Sequence, residues 1–249
     1  VINDYGEKIS WHVTGEIPGR HRDRIIVVGA HIDGHDISQG AIDDASGTAA
    51  LMELARVLAP YKGKLNKTIR FICFTLEEMG LTGSTIYVKQ HDDEISKIEL
   101  MINLDGAGSP GRKTFLIQGF RDLKEYVEST CRKYGHIIKV INRLVHASDH
   151  FPFVTRGIPA IVIATEDVVR KEDRSFEHTY ADTLDKVDVR DIKEAAALTA
   201  IILVEAAMSE KPVARRRSTE EVIRIFKRRG LDEVLKRTKQ WEIYFPNVE

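Results

Sequence analysis

Short runs of apolar, mostly β-branched residues recur along this chain, and several of them are continuous rather than alternating with polar residues. Continuous runs are typical of strands that are buried on both faces of a largely parallel sheet. Segments with apolar residues at helical spacing lie between these runs. Strand alternating with helix predicts an α/β fold, a three-layer α-β-α sandwich around a mixed, mostly parallel central sheet. The predicted strands span residues 25–29, 69–75, 100–104, 115–117, 137–141 and 160–164, and the predicted helices span 47–59, 84–90, 121–134 and 192–208.

Charge and hydropathy exclude several classes of protein. The 249 residues include 37 Lys+Arg and 38 Asp+Glu, a formal net charge of −1, so nothing in the bulk charge indicates a nucleic-acid partner. The longest apolar stretch, 195–204, is far shorter than the ~20 residues that span a bilayer, so we expect no membrane span. Two cysteines are too few for a disulfide framework and favour the cytoplasm. The chain begins at Val1, without an initiator Met, which leaves secretion open.

The last forty residues differ from the rest of the chain. We predict a main domain at 1–210 and a basic helical appendage at 211–249 that packs on the same domain. The order Ser218-Thr219-Glu220-Glu221 is typical of a capping box that opens a short helix, which Gly230 would end. Apolar residues at 241–245 predict docking on this chain or on a neighbouring subunit, so a homo-oligomer formed through this segment remains an open expectation.

Residues that can bind metal ions stand at the predicted strand ends or in the segments between them. Because open α/β sheets gather their ligands at the carboxyl ends of the strands, we expect these side chains to cluster. Clustered carboxylates raise one another's pKa unless a cation neutralises them, so we infer two divalent metal ions about 3.5 to 4 Å apart. The residues are His31, Asp33, Asp43, Asp44, Glu77, Glu78, Asp105, His178 and Asp182.

Six ordered segments resemble the co-catalytic zinc exopeptidases, the aminopeptidases whose wider family includes glutamate carboxypeptidases and glutaminyl cyclases. The resemblance extends from about residue 9 to residue 208 and implies a zinc-peptidase fold, with 1–210 as the catalytic domain. The segments are GAHIDGHD, GAIDDASGTAALMELAR, FTLEEMGLTGS, INLDGAG, SDHFPFVTRGIPA and HTYADTLDKV.

The resemblance implies a set of metal ligands. His31 and Asp105 would hold one zinc ion, and Glu78 and His178 would hold the other. Asp43 would bridge the two ions. Cobalt or manganese could substitute for zinc in such a site.

Three further aspartates, Asp33, Asp44 and Asp182, are expected to support the ligands. Asp33 would accept a hydrogen bond from the second ring nitrogen of His31 and fix its tautomer. Asp182 would do the same for His178. The resemblance also implies a cis peptide bond immediately before Asp44, which would aim the bridging carboxylate.

Glu77 is predicted to act as the general base. It adjoins the ligand Glu78, and adjacent side chains at a strand end diverge, so Glu77 would take a proton from the attacking water and pass it to the leaving amine. The expected reaction is hydrolysis of a peptide bond next to a free terminus, by an aminopeptidase that removes N-terminal residues. Asp149, His150 and Phe151 are expected to line the substrate pocket.

Several alternatives stay open at this point. Residues 31–44 are also similar to relatives that remove C-terminal residues or split dipeptides, so a carboxypeptidase or dipeptidase is one alternative. A glutaminyl cyclase with a single zinc is another. Glu177 replaces the Tyr that several relatives carry before the last His ligand, which motivates a non-catalytic, metal-binding homologue as the third. The charged loop 168–176 is expected to shape the pocket.

Overall fold

A computed structural model of the chain describes residues 9–166, 176–246 and 248. A seven-stranded sheet forms its centre. The strands are β1 (Val13–Ile17), β2 (His21–His31), β3 (Lys67–Phe74), β4 (Ile98–Asn103), β5 (Lys113–Leu116), β6 (Lys139–Ile141) and β7 (Ala160–Thr165). The helices are α1 (Gly47–Leu58), α2 (Thr82–Gln90), α3 (Leu123–Lys133), α4 (Phe151–Thr155), α5 (Val189–Met208), α6 (Thr219–Arg229), α7 (Leu231–Arg237) and α8 (Trp241–Tyr244). Apart from Phe176, the loop predicted to shape the pocket lies outside the described residues.

Four parallel strands form the middle of the sheet. In the order β1-β3-β2-β4-β7-β5-β6, strands β3, β2, β4 and β7 are parallel, whereas β1 and the β5–β6 pair run antiparallel to their neighbours β3 and β7. His31 of β2 lies opposite Phe74 of β3, and Gly29 of β2 lies opposite Asn103 of β4. The carboxyl ends of these three strands therefore share one edge, and the sheet is mixed and mostly parallel, as predicted.

Helices cover both faces of the sheet. From β2 the chain crosses through α1 to β3 on one side, and from β3 it crosses back through α2 to β4 on the other side of β2. Because such crossovers are right-handed, the opposite directions place α1 and α2 on opposite faces. Helices α1 and α3 both pack on α5, whereas α2 contacts α4, which contacts α6. This is the predicted three-layer sandwich.

Helix α5 contains the apolar stretch that is too short for a bilayer. Its Leu198, Ile202 and Leu203 are buried, and Arg190 and Asp191 lie in its first turn. Within the part of the chain that the structure describes, no helix has the length and apolar character that a membrane span requires.

The sequence did not indicate β1. Among the described residues this strand lies at the edge of the sheet and pairs with β3 alone, so it needs few buried side chains. Val13 is 61% exposed, and Ile17 is the residue of β1 that is buried. The strand therefore lacks the continuous apolar run that predicted the other six.

The C-terminal segment begins with the predicted capping box. The Ser218 hydroxyl accepts a hydrogen bond from the Glu221 amide, and the Glu221 carboxylate accepts one from the Ser218 amide, which satisfies two donors at the start of α6. Gly230 ends the helix with a φ of 68°, the left-handed conformation that glycine adopts without steric cost.

Aromatic side chains dock the C-terminal segment on the rest of this chain. The rings of Phe151 and Phe226 stack at 5.5 Å, Tyr244 contacts Phe151 edge-on, and Phe245 contacts Phe226 edge-on. Phe226 is fully buried, and Trp241 is 3% exposed. One hydrophobic core thus contains residues from both sides of 210, and the division into 1–210 and 211–249 stays a prediction.

A close backbone contact joins the turn after α4 to the segment before α6. The Arg217 amide donates a hydrogen bond of 2.9 Å to the Gly157 carbonyl. A Cβ atom on Gly157 would lie 1.9 Å from the Arg217 carbonyl oxygen, and the φ of Gly157 is 76°. Only glycine fits at this junction.

Candidate metal centre

Three neighbouring strands deliver acidic and histidine side chains to one edge of the sheet, where two further segments meet them. The side chains form two groups, and in each group the candidate ligand atoms lie within 4.8 Å of one another. The groups are His31, Glu77 and Asp105, and Asp43, Glu78 and His178. The structure therefore brings together all five predicted metal ligands and the predicted base.

The Asp43 carboxylate lies between the two groups. Its Oδ1 is 3.0 Å from Nε2 of His31, and its Oδ2 is 3.0 Å from Nε2 of His178. Nε2 of His31 is also 3.8 Å from Oδ1 of Asp105, and Nε2 of His178 is 3.2 Å from Oε2 of Glu78. One carboxylate thus faces both groups with separate oxygens, which is the arrangement that a bridging ligand needs.

The backbone of two site residues has an unusual conformation. The peptide bond between Asp43 and Asp44 is cis, as the resemblance implied. His178 has a φ of 59°, in the left-handed region that residues other than glycine seldom adopt. In this conformation the His178 ring faces Asp43, while 42% of its side chain remains exposed.

The donor set fits zinc. Zinc takes histidine nitrogens and carboxylate oxygens at about 2.0 to 2.2 Å, so tetrahedral ligand atoms lie about 3.3 Å apart. The separations of 3.0 to 3.8 Å around His31 and of 3.0 to 3.2 Å around His178 are close to this spacing. Oε1 of Glu78 is buried and has no hydrogen-bond partner among the described residues. An oxygen of this kind is available to a cation.

The predicted hydrogen bond between the His31 ring and the Asp33 carboxylate is wrong in its detail. Nδ1 of His31 is 3.0 Å from the backbone carbonyl oxygen of Asp33, whereas the nearest carboxylate oxygen of Asp33 is 3.7 Å away, beyond hydrogen-bond length. The Asp33 carboxylate instead accepts hydrogen bonds from the amides of Glu77 and Glu78, at 3.2 and 3.1 Å. Asp33 therefore orients the His31 ring through its backbone and the Glu77–Glu78 turn through its side chain.

Asp182 also has partners other than the predicted one. Its two carboxylate oxygens accept hydrogen bonds from the amides of Ile42 and Asp43, at 2.7 and 3.1 Å. Asp182 is fully buried. The side chain therefore fixes the turn that carries Asp43 and does not contact the His178 ring.

Asp44 holds three backbone segments together beneath the site. Its carboxylate accepts hydrogen bonds of 3.0 Å from the amides of His31, Gly47 and Gly106. A Cβ on Gly47 would lie 2.2 Å from Oδ1 of Asp44 and 2.4 Å from the Leu104 carbonyl oxygen. Glycine at 47 is thus required for the close approach of α1, which agrees with the supporting role expected for Asp44.

The Glu77 carboxylate lies beside His31 and Asp105. Burial and the nearby Asp105 charge raise the pKa of Glu77 to about 10, against the opposing effect of His31. A carboxyl group whose pKa is raised in this way holds a proton more firmly than a solvated one. The general-base role of Glu77 stays a prediction.

Comparison with known proteins identifies the family. The profile of peptidase family M28 matches residues 12–203, which is more than half of the chain. The chain belongs to peptidase family M28. It is 31% identical to Aminopeptidase YwaD of Bacillus subtilis over 198 residues, 77% of this chain and 43% of that protein. It is 26% identical to Carboxypeptidase Q of Rattus norvegicus over 220 residues, 85% of this chain and 44% of that protein.

A solved relative supports the same fold. The structure of a zinc aminopeptidase from Bacillus subtilis superposes with a TM-score of 0.69 at 28% identity, covering 80% of this chain and 51% of that one. This M28 chain thus spans less than half the length of both curated relatives and about half of the solved chain.

A cavity of 330 Å³ opens beside Asp105 in this M28 chain. Its apolar wall includes Leu116 and Val162, and its polar lining includes Arg143 and Glu177. From the sequence, Glu177 was noted only as a departure from the family pattern. Arg143 lies in a loop without a motif, so the sequence did not indicate that it would line the cavity. Asp105, one of the candidate ligands, lines this cavity.

Ser148 is another residue that the motif analysis passed over. Its hydroxyl donates to the Asp105 carboxylate and accepts a hydrogen bond of 2.6 Å from Nδ2 of Asn103. The sequence signal that could have identified Ser148 is its position next to Asp149 at the start of the SDHFPF segment.

The structure contradicts the predicted pocket role of Asp149, His150 and Phe151. All three are fully buried, because this segment turns inward at the start of α4. Burial lowers the pKa of His150 to about 4, so its ring is neutral, and it lies 3.1 Å from the Val145 carbonyl oxygen. Phe151 packs in the core against Phe226. These three residues do not line the cavity beside Asp105, whose walls include Leu116 and Val162.

Proposed function

We propose that this chain is a zinc-dependent aminopeptidase that hydrolyses the N-terminal peptide bond of peptide substrates with two zinc ions. The observation that carries this proposal is the Asp43 carboxylate, which faces a separate group of ligand atoms with each oxygen. A second carboxylate, the half-buried Glu77, lies in the group that contains His31 and Asp105. Relatives named as aminopeptidases in Bacillus subtilis support the choice of reaction.

The chain's own residues divide into two ligand sets. His31 and Asp105 would hold one ion, Glu78 and His178 would hold the other, and Asp43 would face both. Bound zinc ions polarise a substrate carbonyl and lower the pKa of water toward neutrality. The chain supplies the ligand side chains and the hydrogen bonds that hold them in place.

Glu77 would move the proton. Its carboxylate would accept a proton from the attacking water at an oxygen and deliver that proton to the nitrogen of the leaving amine. Burial raises the pKa of Glu77 in the metal-free chain, and bound zinc ions would favour its deprotonated form, which is the form that accepts a proton.

The cavity beside Asp105 would receive the side chain of the N-terminal residue. Its volume of 330 Å³ suits one amino-acid side chain rather than a folded protein. The α-amino group of a substrate is cationic at neutral pH, and the carboxylates of Asp105 and Glu177 beside the cavity would attract it.

The direct test is Glu77→Gln in the zinc-loaded protein. We expect hydrolysis of aminoacyl arylamides to fall by about 10²- to 10⁴-fold in kcat, the usual contribution of a positioned base, while the protein still binds two zinc ions per chain. Wild-type protein with two bound zinc ions and no turnover of any free-amino-terminus peptide would refute the proposed activity. Glu53→Gln, on the exposed face of α1, is the matched control and should leave kcat unchanged.

A carboxypeptidase is the second candidate, because Arg143 lines the same cavity and a guanidinium binds carboxylates through paired hydrogen bonds. Carboxypeptidase Q is a relative with this named activity. Two otherwise identical peptides separate the candidates, one with an acetylated N-terminus and one with an amidated C-terminus. An aminopeptidase cleaves only the amidated peptide, and a carboxypeptidase cleaves only the acetylated one.

A further inference from the structure

Five arginines converge on a groove away from the metal ligands. The groove has a volume of 430 Å³ and lies where the turn after β5, the exit of β6 and helix α6 meet. We call it the arginine groove. Its arginines are Arg121, Arg217, Arg224, Arg228 and Arg229.

The arginines come from separate parts of the sequence. Arg121 precedes α3, and Arg217 precedes α6. Arg224 and Arg228 are four residues apart on α6 and therefore share one helix face. Cations in the last turn of α6 also offset the helix dipole, but that effect does not account for Arg121 or Arg217, which lie outside the helix.

Nearby acidic side chains are already engaged. The Asp122 carboxylate pairs with Arg217 at 2.6 Å, and the Glu221 carboxylate pairs with Arg215 at 2.5 Å. Glu221 is the single acidic residue that lines the groove. Among the described residues, Arg217 is the groove arginine that pairs with a carboxylate, so most of the positive charge of the groove is not neutralised by ion pairs, although the chain as a whole has a net charge of −1.

Two of the arginines are held in place and three can turn toward a ligand. The guanidinium of Arg217 lies 5.6 Å from the centre of the Phe120 ring, and that of Arg229 donates to the Asn142 carbonyl at 3.2 Å. Arg121, Arg224 and Arg228 form no ion pair in residues 9–166, 176–246 and 248 and are exposed. Guanidinium groups bind phosphate oxygens in a fork geometry, and several of them in one concavity favour a multivalent anion.

We propose that the arginine groove binds a small molecule that carries two or more linked phosphate groups. The volume of 430 Å³ falls in the range of about 300 to 1,000 Å³ that is typical of small-molecule sites. Two or more phosphates are needed because a single phosphate can engage only part of a guanidinium set drawn from three segments. The site is independent of the proposed hydrolysis.

Isothermal titration calorimetry with sodium tripolyphosphate tests the proposal. The double variant Arg224→Gln/Arg228→Gln should bind at least tenfold more weakly than the wild type. Arg22→Gln/Arg190→Gln removes two exposed arginines outside the groove and should bind as the wild type does. Because tripolyphosphate also chelates zinc, the titrations are repeated with metal-free protein, and the difference between variants should persist. Circular dichroism and the Tm establish that each variant is folded.

The other arms of the experiment decide what is recognised. Binding of both tripolyphosphate and ADP identifies the linked phosphates as the recognised group, and tighter binding of ADP adds a contact with the nucleoside. Inorganic phosphate that binds as tightly as tripolyphosphate overturns the proposal. Equal weakening in both double variants also overturns it, because the attraction would then be non-specific. So does a groove that binds heparin or DNA while neither small probe binds.

Discussion

At the scale of single residues, the metal-free site binds protons on the side chains that would bind metal ions. Burial and the Asp105 charge raise the pKa of Glu77 to about 10, and burial and the Asp43 charge raise that of Glu78. Burial lowers the pKa of His31, but hydrogen bonds to neighbouring carboxylates outweigh it, so the net pKa is raised. At pH 7 the metal-free site therefore keeps protons that free side chains would release.

Metal uptake should release these protons. A cation favours the deprotonated form of each raised group, so we expect proton release at pH 7 and affinity that rises with pH. Calorimetric titration with Co²⁺ in two buffers of different ionisation enthalpy measures the number of protons released. Glu77→Gln should release fewer protons than the wild type. Identical heats in both buffers would mean that no protons are released and would contradict the raised pKa values of Glu77 and Glu78.

The clustering of the candidate ligands was predictable at this scale, and the hydrogen-bond partners of Asp33 and Asp182 were not. His31, Glu78 and Asp105 follow predicted strands, and parallel strands bring such residues to one edge. Asp33 and Asp182 were expected to contact imidazole rings, but their carboxylates accept hydrogen bonds from backbone amides. Every residue except proline offers an amide of this kind, so the sequence carries no mark that identifies which amide a carboxylate will bind.

At the scale of elements, a buried lysine fixes the loop between β4 and β5. The Lys113 ammonium donates to the carbonyls of Ala107 and Ser109 at 3.0 and 2.6 Å and lies 3.6 Å from the Asp191 carboxylate. Burial lowers its pKa. The loop begins immediately after β4 with the segment that contains Asp105.

Lys113→Met should therefore destabilise the protein and weaken its metal site. Leaving buried carbonyls without their donor costs about 1 to 3 kcal/mol of unfolding free energy, which chemical denaturation measures. We expect a lower affinity for zinc as well, because the Asp105 loop loses its anchor. Lys124→Met, on the exposed side of α3, is the control. Equal stability of the two variants would show that Lys113 does not anchor the loop.

Elements with buried apolar runs were predicted correctly, and those without them were not. β2 and β3 have nearly continuous buried residues, whereas β1 is exposed at four of its five positions. The SDHFPF segment was assigned to the pocket because it adjoins a motif. Phe151 is instead buried against Phe226 and Tyr244 of the C-terminal segment, a tertiary contact that the local sequence does not encode.

At the scale of the whole molecule, a single core joins the C-terminal helices to the sheet. Phe226→Ala removes a fully buried ring from this core, and we expect a loss of about 3 to 5 kcal/mol in unfolding free energy. The Tm should fall in one transition that includes the metal centre. Val234→Ala, at a position 40% exposed on α7, should change stability little. Separate melting of the C-terminal helices and the metal site would contradict a shared core.

The junction at Gly157 has a practical consequence for engineering. Because no side chain can be accommodated where the turn after α4 meets Arg217, this contact cannot be retuned by ordinary mutagenesis and has to be kept whole. Fusion proteins and circular permutants whose new termini lie elsewhere on the surface keep the contact between Gly157 and Arg217 intact. A design that cuts or lengthens the chain close to residue 217 would remove the contact that holds the C-terminal helices against the turn after α4.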